Sequence, residues 1–205
     1  MINQKLKTCA ALSAVILSLS ACAPSLTQDT PPASLYVLNP LVAPAQMEAT
    51  PNTMQLYVQK PTVPPGYDTE KIVVIKEDRE MDYISGAEWS GQLGEVLKTY
   101  LTQSLENRLP VGTVLDENVR QEAGYVLVST VRSFEAHYAD EAASSAPRVD
   151  VEIAFALHNR EDAKIETQVI ITQSVQASDN TVTAIVAAFE QALADVTELS
   201  LKRLF

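Results

Sequence analysis

Hydrophobic and polar residues follow two different periods along this chain, and each period predicts a type of element. Short runs that alternate or are continuously apolar are typical of strands. These runs cover residues 34–38, 54–59, 71–76, 81–84, 125–134, 149–157 and 165–175. Apolar residues recur at helical spacing after Trp89 and again after Asn180. Strands, a helix, further strands and a second helix therefore follow one another.

This order of elements predicts an α+β domain: a mainly antiparallel sheet with two long helices packed on one face. In the last hairpin, a register that places Val151 opposite Ile171 keeps the apolar residues of both strands on the same side. The second helix follows directly, and Asp179 or Asn180 is expected to cap it.

The start of the first helix carries a local signal. Ser85 followed three residues later by Glu88 matches a capping box, and Ile84 with Trp89 occupies the positions of a hydrophobic staple. The pattern predicts that the helix begins at Ser85. The staple position also indicates that Trp89 is a structural anchor in the core rather than a residue that stacks on a ligand.

The N-terminal segment differs from the rest of the chain. Two lysines precede an uncharged apolar run that is shorter than the ~20 residues needed to span a bilayer. The motif Leu19-Ser20-Ala21-Cys22 then resembles a bacterial lipobox, in which the cysteine thiol receives a diacylglycerol group. We expect residues 1–21 to be a lipoprotein signal peptide and Cys22 to be the lipid attachment site. A plain cleaved signal peptide is the alternative.

Composition limits what the mature chain can do. Residues 22–33 are rich in proline and threonine and are expected to form a flexible tether to a single domain over residues 34–205. Cys9 leaves with the signal peptide and Cys22 is acylated, so no disulfide remains. Loss of two lysines takes the formal net charge from −11 to −13. Such a charge disfavours binding of nucleic acid and direct docking on anionic lipid head groups.

Residue types suited to catalysis or metal binding are few. The two histidines, His137 and His158, are expected at opposite ends of a strand pair, about 30 Å apart at the rise of a strand, and cannot share a metal ion. The sequence contains no nucleophile elbow, phosphate-binding glycine loop or paired-histidine zinc motif. We therefore expect no enzymatic activity, no metal and no cofactor.

Several short motifs together resemble the ABC-type transport auxiliary lipoprotein family, the PqiC-like group. They are the lipobox at Cys22, the strand at 35–38, the bend at 63–67 before the strand at 72–75, and Trp89 at the start of the first helix. The resemblance extends from residue 34 to residue 205. The chain departs from the family pattern at two positions, since Lys76 and Glu88 stand where relatives usually have arginine.

The resemblance implies a periplasm-facing lipoprotein of the outer membrane. Such a protein works with an MCE-domain protein, an ABC permease and an ATPase to move lipid between two membranes. Ala23 follows the anchor, and the absence of aspartate there favours export to the outer membrane. A homo-oligomer is compatible with the resemblance but is not established by the sequence. A structural lipoprotein of a secretion machine, similar to a pilotin, and a lipid-binding carrier are the alternatives.

Overall fold

The chain folds into strands and helices that largely follow the predicted order. A computed structural model describes residues 32–42, 54–76, 79–110, 112–140 and 143–205. Within these ranges the strands are β1 (Ser34–Tyr36), β2 (Leu56–Val58), β3 (Lys71–Ile75), β4 (Met81–Trp89), β5 (Tyr125–His137), β6 (Arg148–Asn159) and β7 (Lys164–Gln176). The helices are α1 (Leu93–Arg108), a 3₁₀ helix (Glu117–Glu122) and α2 (Val182–Leu204).

The seven described strands form one mixed sheet. Their order is β1-β4-β3-β5-β6-β7, and β2 lies beside β5. The pairs β3–β4, β5–β6 and β6–β7 are antiparallel, whereas β1–β4, β2–β5 and β3–β5 are parallel. Antiparallel pairing dominates because it joins the three longest strands, as the sequence predicted.

The β6–β7 hairpin has a different register from the predicted one. Ile153, rather than Val151, lies opposite Ile171, and a bulge follows Leu157. The turn takes only residues 160–163, and Ala163 adopts a positive φ of 56°. Because side chains alternate with a period of two, this two-residue shift leaves Val169, Ile171 and Val175 on the face that was predicted. Beyond the bulge, Ile165 lies opposite His158 and is 52% exposed, so its predicted place on the apolar face is wrong.

The core lies between the strands and the helices. Val149, Val151 and Ile153 of β6 are fully buried and belong to one hydrophobic cluster with residues of both α-helices. The two helices also make direct contact, since Arg108 of α1 forms an ion pair with Glu198 of α2. That both helices pack on one face of the sheet stays a prediction.

The predicted helix start at Ser85 is wrong. Ser85, Glu88 and Trp89 all lie in β4, and α1 begins at Leu93 without a side-chain cap from its own N-cap residue. A bulge containing Gly86, whose φ is 72°, keeps the chain extended, and Glu88 pairs with a residue on each neighbouring strand. These cross-strand pairs outweigh a single capping box, which is worth about 1 kcal/mol.

Two distant residues satisfy the first turn of α1 instead. The carboxylate of Asp68 accepts a hydrogen bond from the backbone N–H of Gly94 at 3.1 Å. The backbone N–H of Leu93 donates to the carbonyl of Thr69 at 3.2 Å. The position of the helix start is therefore determined by tertiary contact with the bend that precedes β3.

The cap of α2 also differs from the predicted residues. Thr181 is the N-cap, and its hydroxyl accepts a hydrogen bond from the backbone N–H of Ala184. Asp179 accepts from the backbone N–H of Thr181, and Asn180 accepts from the hydroxyl of Tyr138. The two predicted capping residues therefore position the turn before the helix rather than its first turn.

Candidate functional surfaces

The predicted lipid attachment residue, Cys22, lies outside the described residues, so its role stays a prediction. The described chain begins at Pro32, and β1 starts two residues after that point.

Exposed apolar side chains lie on β1, directly after it, and on β4, the strand that pairs with it. The exposed fractions are 67% for Leu35, 58% for Val37, and 39% for both Met81 and Tyr83 on β4. Because β1 pairs with residues 87–89, Val37 and Met81 lie toward opposite ends of β4. We therefore call only Leu35 and Tyr83 the β1–β4 patch. Exposed apolar clusters of this kind often mark sites of interaction with another macromolecule.

Cross-strand neighbours connect the two strands of the patch. Leu35 lies opposite Glu88 on β4, and Glu88 lies opposite Lys71 on β3. The ammonium group of Lys71 lies 5.4 Å from the centroid of the Tyr83 ring, which is within the range of a cation–π contact. Glu88 and Lys71 therefore connect Leu35 on β1 with Tyr83 on β4.

Trp89 stabilises the strand behind this patch. It is 2% exposed and packs edge to face on two phenylalanines, with ring centroids 5.8 Å from Phe134 and 5.4 Å from Phe189. Tyr36 lies opposite Trp89 and packs against the core, so alternation along the strand turns Leu35 outward. The buried aromatic cluster thus determines which residues of β1 are exposed.

A connected group of ionisable side chains lies at the C-terminal end of β5. The hydroxyl of Tyr67 donates to one carboxylate oxygen of Glu135, and the other oxygen lies 2.8 Å from Nε2 of His137. Nε2 of His137 lies 3.6 Å from the carboxylate of Asp150 on β6. Glu135 is only 9% exposed. Burial, and then the hydrogen bond to Glu135, raises the pKa of Tyr67.

Asp150 extends this group to β7. Burial alone would raise its pKa, but hydrogen bonds from Arg148 and from the hydroxyl of Ser174 hold the pKa of Asp150 below its usual value. Each member therefore has a partner within the group. The described residues contain no cluster of three or more histidine, cysteine or acidic side chains that could hold a metal ion.

The sequence did not predict this group. Its strand was expected to end at residue 134, before Glu135 and His137. Tyr67 comes from the bend before β3, 68 residues away, and no local pattern connects it to Glu135. The two histidines do lie apart as predicted: His137 pairs with Arg148 at one end of β6, and His158 is at the other end.

Two open grooves run along α1. They have volumes of about 430 Å³ and 400 Å³ and share Glu95, Thr99 and Gln103. The larger groove is bordered by Glu117, whose carboxylate lies 2.6 Å from the ammonium of Lys98. Hydrogen bonds from Lys98 and from the Tyr57 hydroxyl lower the pKa of Glu117 to about 2. The smaller groove also has apolar residues in its lining, among them Val37, Leu38 and Val96. Both grooves are open to solvent, unlike the enclosed apolar cavity that suits a lipid acyl chain.

These features define a mixed α/β domain with an exposed apolar patch and internally paired polar groups. Within the described part of the chain, no helix is both long enough and apolar enough to cross a bilayer. The model of the ABC-type transport auxiliary lipoprotein component matches residues 36–199. The chain belongs to this family, and the resemblance noted in its sequence is confirmed.

Solved structures give the same result for the fold. The crystal structure of a Xanthomonas campestris protein of the DUF330 family is 25% identical, with a TM-score of 0.67, and the match covers 82% of this chain and 92% of that one. A crystal structure of an uncharacterized protein is 15% identical, with a TM-score of 0.63 and coverage of 85% and 100%. The second likeness shows the fold alone. A search of curated proteins found no significant match.

Proposed function

We propose that the protein is an outer-membrane lipoprotein that faces the periplasm and docks an MCE-type ABC transporter assembly for lipid transport between membranes. The observation that carries this proposal is the family match over residues 36–199, directly after a lipobox that ends at Cys22. A domain on a short tether can hold the distal end of such an assembly at the membrane. It needs no catalytic group for that task.

The anchor supplies the membrane attachment. A single acyl chain binds a bilayer only marginally, whereas two or three chains bind stably. Cys22→Ala removes the attachment point, so the variant is expected to move from the membrane fraction to the soluble periplasmic fraction. A variant that stays bound to membranes would overturn the lipobox assignment.

The β1–β4 patch is the docking surface in this proposal. Tyrosine and methionine are enriched in the buried centres of protein interfaces, and aromatic anchors often provide most of the binding energy. The patch consists of Tyr83 on β4 and Leu35 on β1, and both side chains are exposed.

The decisive experiment is chemical crosslinking in cells, followed by capture of the full acylated chain through a C-terminal tag. We expect an MCE-domain protein among the captured partners, and its absence would contradict the docking role. Capture of a secretin or pilus component would support a pilotin-like function instead. Phospholipid that co-purifies in stoichiometric amounts would support a lipid carrier.

The docking surface is tested with variants in the same experiment. Leu35→Ser combined with Tyr83→Ser should reduce capture of the MCE-domain protein. Val119→Ser is the matched control, because Val119 is exposed to a similar extent, 38%, but lies on the 3₁₀ helix. If both variants lose capture of the MCE-domain protein equally, the β1–β4 patch is not the docking surface. That outcome leaves the assignment of the lipid anchor unchanged.

A further inference from the structure

A pocket at one end of the sheet brings together residues from four strands. Its volume is about 390 Å³, and it is open to solvent. A cross-strand row runs through its lining: Ile75 of β3 pairs with His137 of β5, His137 pairs with Arg148 of β6, and Arg148 pairs with Gln176 of β7. Because adjacent strands lie about 4.8 Å apart, the side chains of His137 and Arg148 are direct neighbours on one face.

The lining of this pocket is basic, although the whole chain carries a formal net charge of −11. Lys76 and Arg79, from the turn between β3 and β4, lie in the lining together with His137 and Arg148. We call these four residues the basic pocket. Among the described residues, no aspartate or glutamate lines it, whereas Glu95 borders both grooves along α1. A concave site with cationic walls attracts anions.

Three of the basic side chains have a carboxylate partner that lies outside the lining. The pairs are Arg148 with Asp150, Lys76 with Asp82, and His137 with Glu135, and their N–O distances are 2.8 Å, 2.7 Å and 2.8 Å. These contacts fix the positions of the basic groups without placing a negative charge in the lining itself.

The guanidinium group of Arg148 is oriented by one of its two edges. Its Nε and Nη2 donate hydrogen bonds to the carboxylate of Asp150 at 3.0 Å and 2.8 Å. A guanidinium group has five N–H donors in a planar fork, and none of the described residues accepts a hydrogen bond from Nη1. The outer edge of Arg148, formed by Nη1 and the second hydrogen of Nη2, therefore matches two oxygens of a phosphate group.

Arg79 joins the pocket from a tight turn. Its φ is 67°, in the left-handed region that large side chains seldom adopt. The backbone N–H of Arg79 donates to the carbonyl of Lys76 at 2.9 Å, and the N–H of Lys76 donates to the carbonyl of Glu80 at 3.0 Å. Arg79 is exposed, so burial of its side chain does not explain this conformation. Backbone strain of this kind is concentrated at functional sites, including those that hold ligands.

We propose that the basic pocket binds a phosphate group, either a free phosphate ion or the headgroup of a lipid. The outer edge of Arg148 holds two phosphate oxygens, and Lys76 and Arg79 neutralise the remaining negative charge. The net charge of the chain opposes contact with a broad anionic surface. It acts weakly on one small anion, because salt screens exposed charges that are more than about 8 Å away. The site depends neither on the docking function nor on the β1–β4 patch.

Calorimetric titration of inorganic phosphate into the full acylated chain, in a neutral detergent, tests the site. We expect saturable binding to the wild type. Arg148→Gln and Arg79→Gln should each weaken it about tenfold or more, because each removes hydrogen bonds between charged groups. Arg148→Lys keeps the charge but loses the planar fork, so it should weaken binding less than Arg148→Gln does.

Arg132→Gln is the matched control. Arg132 lies on β5, its side chain is 52% exposed against 56% for Arg148, and it forms an ion pair with Glu152 at 3.1 Å. It is not part of the basic pocket, so this variant should bind phosphate as the wild type does. Circular dichroism checks that each variant is folded. Because Arg79 is exposed, Arg79→Gln keeps the test valid even if Arg148→Gln does not fold.

The source of the phosphate is distinguished by a second titration, with phosphatidic acid in the same detergent micelles. Tighter binding of phosphatidic acid than of inorganic phosphate, weakened by Arg148→Gln but not by Arg132→Gln, would identify a lipid headgroup as the ligand. Equal affinities would identify free phosphate. The proposal would be overturned if neither probe bound saturably, or if Arg132→Gln weakened binding as much as Arg148→Gln.

Discussion

The two edges of the sheet differ in almost every respect. β1 is three residues long, pairs in parallel with β4 and has exposed apolar side chains beside it. β7 is thirteen residues long, pairs antiparallel with β6 and carries Lys164 and Glu166 near its start, where the pairing is bulged. A short edge offers few main-chain groups, so recognition there depends on side chains such as Leu35 and Tyr83. The long edge is protected at one end by charge and by the bulge.

The largest effect is expected from Trp89→Ala, which removes the aromatic anchor behind the β1 edge. Truncation of a fully buried aromatic side chain typically costs about 3–5 kcal/mol. Urea denaturation should show this loss of unfolding free energy. Hydrogen exchange should show that β1 loses amide protection before β7 does. Equal loss of protection at both edges would mean that Trp89 stabilises the whole sheet uniformly.

The patch at the β1 edge should affect binding rather than folding. Leu35→Ser with Tyr83→Ser is expected to reduce partner capture about tenfold or more, because interface anchors commonly contribute 1–2 kcal/mol or more. The midpoint of urea denaturation should change little, since both side chains are exposed. A large fall in stability would show that these residues belong to the core.

Asp150 should make the β7 side of the sheet sensitive to acid. Its pKa in the folded state is below the usual value of about 3.9, so its stabilising effect is present above that pH and is lost as the pH falls through the lower folded-state pKa. Unfolding free energy measured between pH 5 and pH 2 should therefore fall less steeply for Asp150→Asn than for the wild type. Parallel curves would contradict this role.

A smaller effect is expected at the start of α2, which follows β7. Thr181→Ala removes the hydroxyl that accepts a hydrogen bond from Ala184 and should cost about 1 kcal/mol of stability. Thr181→Ser keeps the hydroxyl and should retain most of that free energy. If both variants lose the same amount, the cap contributes nothing measurable.

The smallest effect is expected from the residues of the predicted capping box. Ser85→Ala and Glu88→Ala should each change the unfolding free energy by less than about 0.5 kcal/mol, because Ser85 is exposed and Glu88 is partly exposed in β4. Thermal denaturation of the two variants provides the measurement. A loss of about 1 kcal/mol in each would indicate a helix cap there after all.

Local periodicity was sufficient to predict the long hairpins. The alternation in β6 and in most of β7 gave the correct faces even though the register differs by two residues, because a shift of two preserves the face. Ile165 is the exception, because the bulge beside it turns it to the other face. The capping box at Ser85 failed because the same residues also fit an extended strand. Contacts with β1 and β3, which are distant in sequence, decide between the two.

The polar group around Glu135 could not be predicted for a related reason. Its partners come from a bend, from β5 and from β6, and only the folded sheet brings Tyr67, His137 and Asp150 together.

The most direct test of the docking role is a photo-crosslinking amino acid placed at Leu35 in the full acylated protein in living cells. We predict a crosslink to an MCE-domain protein, and we predict that the same probe at Val119 gives none. The role of the patch would be contradicted if Leu35 captured no such protein, or if Val119 captured it equally well.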